Sequence, residues 1–231
     1  MNIALILAGG SGTRIGAELP KQYIEVEGKP ILFYCVETLS DSPQIDAIQI
    51  VADSGWQEWI QKEMPHYDRK EKFKGFSVPG ENRQLSIYHG LEDIGHYAVD
   101  EDYVLIHDAA RPLLGQRQIE NCIHAMQGHD GVLPVLPMKD TVYYSTDGKK
   151  ISSLLNREEI YAGQAPEVFV LGKYLEANNK LMPEKILRIN GSTEPAIMMG
   201  LDIIMIPGEE ENFKITTPLD LDKFKEIISR R

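Results

Sequence analysis

An apolar run, Ile3-Ala4-Leu5-Ile6-Leu7-Ala8, breaks into Gly9-Gly10-Ser11-Gly12-Thr13-Arg14-Ile15-Gly16, and Pro20-Lys21-Gln22 follows. A short run rich in branched residues, without polar alternation, is the pattern of a strand buried in a parallel sheet. Four glycines within eight residues then remove the side chains that block close approach and let backbone N–H groups turn toward an anion. Arg14 and Lys21 add two fixed cations beside the loop, a combination suited to a polyphosphate. The glycines alone are shared by dinucleotide-binding turns and plain strand-to-helix turns. A dinucleotide loop, however, opens directly into an apolar helix, and here the loop runs on through Arg14 to Lys21.

The chain beyond alternates two periods. Pro30 to Leu39 reads as a helix with proline at its first position, and Ala47 to Val51 as a strand. Ser54 to Met64 is helical, with Trp56, Trp59 and Ile60 as its packing side. Phe73 to Val78 is a strand ending in Pro79-Gly80-Glu81-Asn82-Arg83, where Asn82 caps a helix through Ile94. Tyr103 to His107 is a strand ending in Asp108-Ala109-Ala110-Arg111-Pro112; Gln116 to Gln127 is a helix and Gly131 to Leu136 a strand. This alternation predicts an α/β, Rossmann-like fold with a mostly parallel sheet. It breaks at Thr141 to Leu155, where two short β-type runs flank Asp147-Gly148, the signature of a projecting β-hairpin. Helices at Leu171 to Leu181 and Thr193 to Met199, a strand at Ile203 to Ile206, and a last helix capped by Thr217 and opened by Pro218 complete the chain. With no repeat or linker, 1–231 reads as one domain carrying an arm at about 138–157. Small antiparallel ribbons are marginal alone, so the arm is expected to dock on a second subunit.

A net charge of −11 disfavours nucleic acid as a partner. It does not disfavour a nucleotide, because exposed charges beyond about 8 Å are screened while a partly desolvated contact is not. Cys35 and Cys122 have no metal-ligand spacing and read as small core residues. No apolar run is long enough to span a membrane and no charged leader precedes the first strand, so the expectation is a cytoplasmic protein without a membrane partner.

In open α/β sheets ligands bind outside the carboxyl ends of the strands. The polar loops at 9–21, 80–83 and 108–111 all follow strand ends, so topology predicts that they converge. Asp108 at such an end can serve a magnesium ion beside phosphates, or simply cap a turn. Arg111 is a planar fork suited to phosphate. His107 reads as a core histidine, since attack by an ionised phosphate needs no base.

These segments together resemble the polyol-phosphate cytidylyltransferases, the family containing the ribitol-5-phosphate and 2-C-methyl-D-erythritol 4-phosphate enzymes. The resemblance is carried by the loop 7–14 with Pro20-Lys21-Gln22, by Pro79-Gly80-Glu81-Asn82-Arg83 with Ser86, and by His107-Asp108-Ala109-Ala110-Arg111-Pro112. Lys139-Asp140-Thr141, Asn156-Arg157 and Asn212-Phe213-Lys214-Ile215-Thr216 extend it over the whole chain. It implies a fold of the nucleotide-diphospho-sugar transferase type and CTP-dependent transfer of CMP to a polyol phosphate, with Mg2+ as cofactor and a homodimer joined through the arm. Residue by residue, it implies that Arg14, Lys21 and Lys214 are catalytic. Leu7, Ala8, Gly9, Gly10, Ser11, Gly12 and Thr13 would bind CTP from the first loop, and Gly80, Arg83, Ser86, Asp108 and Ala109 from the later ones. Arg111, Thr141 and Arg157 would grip the acceptor, and Asp108 with Glu210 or Glu211 would serve the metal.

The sequence departs from the family at several places. Pro79 stands where glycine is usual and Ala165 where threonine is common before Pro166. The segment Ile189-Asn190-Gly191-Ser192-Thr193-Glu194-Pro195 lacks the acidic pair usual in the erythritol enzymes. The first loop is more similar to the ribitol enzymes, and Asp108 to Arg111 to the erythritol ones. Ribitol 5-phosphate, feeding CDP-ribitol to a cell wall polymer, is the expected acceptor, ahead of the erythritol substrate of isoprenoid synthesis. Two rivals remain at this point: an NAD-dependent oxidoreductase, using Asp53 at the end of the second strand for the ribose, and a non-catalytic nucleotide-binding domain.

Overall fold

Strand β1, Asn2–Leu7, lies inside the main sheet because both of its faces are apolar: Ala4 and Ile6 enter one core, Ile3 and Leu5 the other. The computed structural model describes residues 1–10 and 19–230. In chain order follow β2 (Glu25–Val26), β3 (Lys29–Pro30), α1 (Ile31–Asp41), β4 (Ala47–Val51), α2 (Ser54–Tyr67), β5 (Phe73–Ser77), α3 (Arg83–Ile94) and β6 (Tyr103–Asp108). Next come α4 (Gln116–His124), β7 (Gly131–Pro137), β8 (Tyr143–Tyr144), β9 (Ser153–Leu154), β10 (Tyr161–Gly163) and β11 (Glu167–Val170). The chain ends with α5 (Leu171–Asn179), α6 (Glu194–Met198), β12 (Ile203–Pro207) and α7 (Pro218–Ile228).

The main sheet runs β10-β7-β11-β6-β1-β4-β5, with β12 also paired to β7. Around β1 the pairings are parallel, as the buried apolar runs predict; β10 and β11 run antiparallel to their partners. Helices α1, α2 and α4 cover one face and α3, α5 and α6 the other, while α7 closes a smaller core with Ile31 and Leu113. Helix α3 lies so close to β1 that a Cβ on Gly90 would stand 2.5 Å from Leu5 Cδ1, so only glycine fits there.

Register levels the strand ends. Leu7 lies opposite both Val51 and Asp108, and Val51 opposite Ser77. The loops leaving β1, β4, β5 and β6 therefore open on one edge. Antiparallel β11 reaches the same edge from the other direction: its first residue, Glu167, lies opposite Ile106.

Several boundaries differ from expectation. Helix α2 continues past Met64 to Tyr67; Pro65 falls in its last turn, where few later bonds depend on the missing N–H. Helix α4 stops at His124 rather than Gln127, and α5 at Asn179 rather than Leu181. The arm's hairpin pairs only Tyr143 with Leu154 and Tyr144 with Ser153. Its turn is held by Asp147, which accepts from the N–H groups of Lys149 and Lys150, with Gly148 at φ +67°. Strands β10 and β11 and the ribbon β2–β3 are not foreseen by the sequence patterns. Cys35 and Cys122 are buried free thiols in apolar surroundings, as expected, and burial pushes the Cys122 thiol up to about 12. Among the described residues, no helix is long and apolar enough to cross a membrane.

Candidate active site

A cleft of about 520 Å³ opens at the levelled edge. Leu7, Gly9, Gly10 and Lys21 form its first wall, Gly80, Arg83 and Ser86 its second, and Asp108, Ala109 and Lys214 its floor. The loops that topology predicts to converge do so. Ser11, Gly12, Thr13 and Arg14 lie outside the described residues.

Each wall has a local cause. Behind the first, Gln22 is buried and donates through Nε2 to the carbonyls of Ala8 at 2.6 Å and Gly10 at 2.8 Å. Tyr23 adds a 3.2 Å bond to Ala8, whose own N–H goes to Val51. Ala8 is thus buried with both backbone groups used, and it supports the loop from behind the cleft lining. Gly9 passes so near Pro79 that a Cβ there would lie 2.6 Å from Pro79 Cβ. In the second wall, Asn82 caps α3 by accepting from Leu85 N–H at 2.8 Å. Ser86 Oγ accepts from Gly80 N–H at 2.9 Å and donates to the Asn82 carbonyl, which folds the 80–83 turn onto the helix start. The floor is sewn to the chain's end. Ile215 N–H donates to the Ala110 carbonyl at 2.8 Å, and Lys21 Nζ donates to the Ile215 carbonyl at 2.8 Å. That places Lys21 and Lys214 at one cleft.

Asp108 is the centre of charge. Its Oδ1 accepts from Arg83 Nε at 3.1 Å; Oδ2 stands 3.0 Å from Lys214 Nζ and 3.5 Å from Arg111 Nε. Burial works to raise the Asp108 carboxyl, but Arg83, Lys214 and Arg111 outweigh it and hold the group far below the usual carboxylate range. Asp108 is ionised. Arg83 also faces Glu167, with Nη2 3.7 Å from Oε2. Burial pushes the Glu167 carboxyl up, against the pull of Arg83 and a hydrogen bond from Ser192 Oγ. His107 is fully buried, bonded through Nε2 to the Arg111 carbonyl at 3.0 Å, and desolvation lowers it to about 4. It is neutral, faces the interior and steadies the 108–111 turn, as expected of a core histidine.

The whole chain matches known enzymes. Residues 2–230 fit the family model of 2-C-methyl-D-erythritol 4-phosphate cytidylyltransferase (IspD). The chain belongs to this family. Ribitol-5-phosphate cytidylyltransferase of Streptococcus agalactiae serotype V is 32% identical over 232 residues, covering 100% of this chain and 96% of the relative. The enzyme of the same description from Streptococcus pneumoniae serotype 2 is 34% identical, with 100% of both chains covered. Among solved structures, 4-diphosphocytidyl-2C-methyl-D-erythritol synthase from Anaerococcus prevotii superposes with a TM-score of 0.83 at 26% identity, covering 100% of this chain and 96% of that one.

As a cytidylyltransferase the chain uses a nucleoside triphosphate, and the oxidoreductase reading falls on family and on geometry. Asp53 is spent as the N-cap of α2, accepting from Gly55 N–H at 2.9 Å, and it does not line the cleft. A non-catalytic domain is equally excluded by membership in a family of transferases. The remaining expected residues lie at varying removes. Arg111 adjoins Asp108 and donates through Nη1 to the Asn212 carbonyl at 2.7 Å. Thr141 and Arg157 sit exposed at the two ends of the arm, outside the cleft lining of this subunit, with Arg157 Nη1 3.1 Å from the Lys139 carbonyl.

The acidic partners expected for a metal do not gather. Glu210 is exposed and pairs with Lys139, Glu211 is exposed, and neither lines the cleft. Among the described residues, no three His, Cys, Asp or Glu side chains form a group that could hold an ion. Both oxygens of Asp108 already face cations. Among the described residues, the donors do not form a set that fits a resident metal.

Sequence reasoning missed Glu167 and Ser192. The available signal was a lone carboxylate opening the apolar run Val168-Phe169-Val170.

Proposed function

We propose that the protein joins CMP from CTP to ribitol 5-phosphate, giving CDP-ribitol and pyrophosphate. The observation that carries this reading is the meeting of Lys21, Lys214, Arg83 and Asp108 on one glycine-walled cleft at the sheet's carboxyl edge. The choice of acceptor is supported by full-length relatives of that description. Gly9, Gly10, Gly80, Arg83 and Ser86 hold the cytidine half. Lys21 and Lys214, with Arg14, surround the triphosphate. A phosphate oxygen of the acceptor attacks the α-phosphorus of CTP in line; the new P–O bond forms as the bond to the β-phosphate breaks, and pyrophosphate carries the electron pair away. The attacking oxygen is already ionised, so positioning and charge neutralisation do the work. Magnesium, in this reading, enters on the phosphates of CTP and offsets their charge there.

The arm completes the acceptor site from a second copy of the chain. Tyr143, Tyr144, Ile151 and Leu154 are each more than half exposed, an apolar surface that a homodimer covers. Thr141 and Arg157 then reach the partner's Arg111 side to grip the acceptor phosphate.

The test is pyrophosphate release by the purified protein with CTP and magnesium, offered ribitol 5-phosphate or 2-C-methyl-D-erythritol 4-phosphate, with products weighed by mass spectrometry. CDP-ribitol is the expected product. Preferential turnover of the erythritol phosphate moves the protein to the other branch, and no turnover with any polyol phosphate ends the reading.

A further inference from the structure

Glu167 has no part in the chemistry outlined above, yet it is buried against one of the cleft's cations. Its Oε1 accepts from Ser192 Oγ, while Oε2 has no hydrogen-bond partner among the described residues and stands 3.7 Å from Arg83 Nη2. The Nε–H of an arginine and the nearer Nη2–H point the same way along one edge of the guanidinium, and a carboxylate that takes both makes the strong two-point contact. Asp108 takes only Nε, at 3.1 Å. The neighbouring Nη2 makes its ion pair with Glu167 instead, at 3.7 Å and without a hydrogen bond. Because Arg83 does not close on Asp108 as a fork, Oδ2 of Asp108 is left for Lys214 at 3.0 Å and Arg111 at 3.5 Å.

We infer that Glu167 is a positioning residue: by drawing Nη2 of Arg83 away from Asp108, it keeps Asp108 in contact with Lys214 and so fixes where that lysine meets the triphosphate. Ser192 holds Glu167 in turn, and the Ser192 carbonyl is itself anchored by Tyr174 Oη at 2.6 Å, whose hydroxyl accepts from Gln84 of α3 at 3.0 Å. The brace thus reaches from the segment before α6, through the first residue of β11, to the helix that carries Arg83. The inference rests on the proposed transfer reaction, and it also has a readout that needs no turnover.

Glu167→Gln keeps the shape and removes the charge. In the full-length protein with CTP, magnesium and ribitol 5-phosphate, kcat is expected to fall roughly tenfold or more while KM for CTP moves by less than about twofold. Glu167→Asp, which restores the charge, should recover part of the loss. In an Arg83→Gln background the Glu167→Gln change should cost nothing further, because its route is already cut. A Glu167→Gln enzyme with the wild-type kcat overturns the inference, as do losses that simply multiply. Should Glu167→Gln lack a cooperative melt, Ser192→Ala takes its place: a reduced kcat supports the brace and an unchanged one overturns it. A crystal structure of Glu167→Gln, or of Ser192→Ala, decides the matter even for a protein inactive on every polyol phosphate. Nε and Nη2 both on Asp108 are expected, and Nη2 unmoved is the opposing result.

Discussion

The carboxyl edge of the sheet and the arm treat their side chains in opposite ways. At the edge, polar and charged groups are buried or half-buried and nearly all paired: Asp108 meets three cations, Gln22 uses its amide on two carbonyls, and His107 is neutral. On the arm, apolar groups are exposed: Tyr143, Tyr144, Ile151 and Leu154 are each more than half open to solvent, and the ladder beneath them is two residue pairs long. The edge is complete as far as one chain can make it. The arm is an unfinished surface, the one that the proposed dimer would cover. Damage at the edge should therefore spare assembly and remove chemistry, while damage on the arm should spare the fold and remove assembly.

Lys214→Ala should break the edge most severely. Turnover is expected to fall by about a hundredfold or more, with the dimer and the melting temperature retained, and Lys21→Ala should match it. Steady-state kinetics beside sedimentation would reveal a failure of either half. Acid comes next. His107 is neutral in the fold and lowered to about 4 from 6.5, so the unfolded chain takes up a proton first as the pH drops. Its contribution is whole above pH 6.5 and is lost as pH falls toward 4, by about 3 kcal/mol at most. Denaturant melts across that range should show the slope, and His107→Gln should flatten it. Gly9→Ala is a smaller, steric insult: its methyl group meets Pro79, and overpacking of this kind costs about 1–3 kcal/mol. Pro79→Gly in the same molecule should give most of that back, read as melting temperature. Least in energy, Leu154→Asp should leave the monomer's melt within about 0.5 kcal/mol of wild type, as for exposed positions generally, and yet abolish the dimer. Sedimentation equilibrium checks it, and a dimer that survives shows that the arm is not the interface.

The parallel part of the fold was legible because its signals are local. Ile3 to Leu7, Ala47 to Val51 and Tyr103 to His107 are unbroken apolar runs, and the polar residues following each mark the edge where they gather. Strands β10 and β11 were not, since runs of three or four residues carry no period that a helix start could not share. Glu167 was lost with them: a glutamate leading an apolar run looks like a solvated end until an antiparallel partner carries it to Ile106. Glu210 had no local signal at all: it was named through the family resemblance, and the loop turns it to Lys139.

The stitch between Lys21 and the Ile215 carbonyl joins residues 194 apart in sequence. It makes two stretches far apart in the chain mutually dependent for chemistry, although every strand of the central sheet precedes the second of them. A chain cut before residue 212 would keep all the strands of that sheet in its sequence, yet lose Lys214 and the carbonyl that sets Lys21 at the cleft.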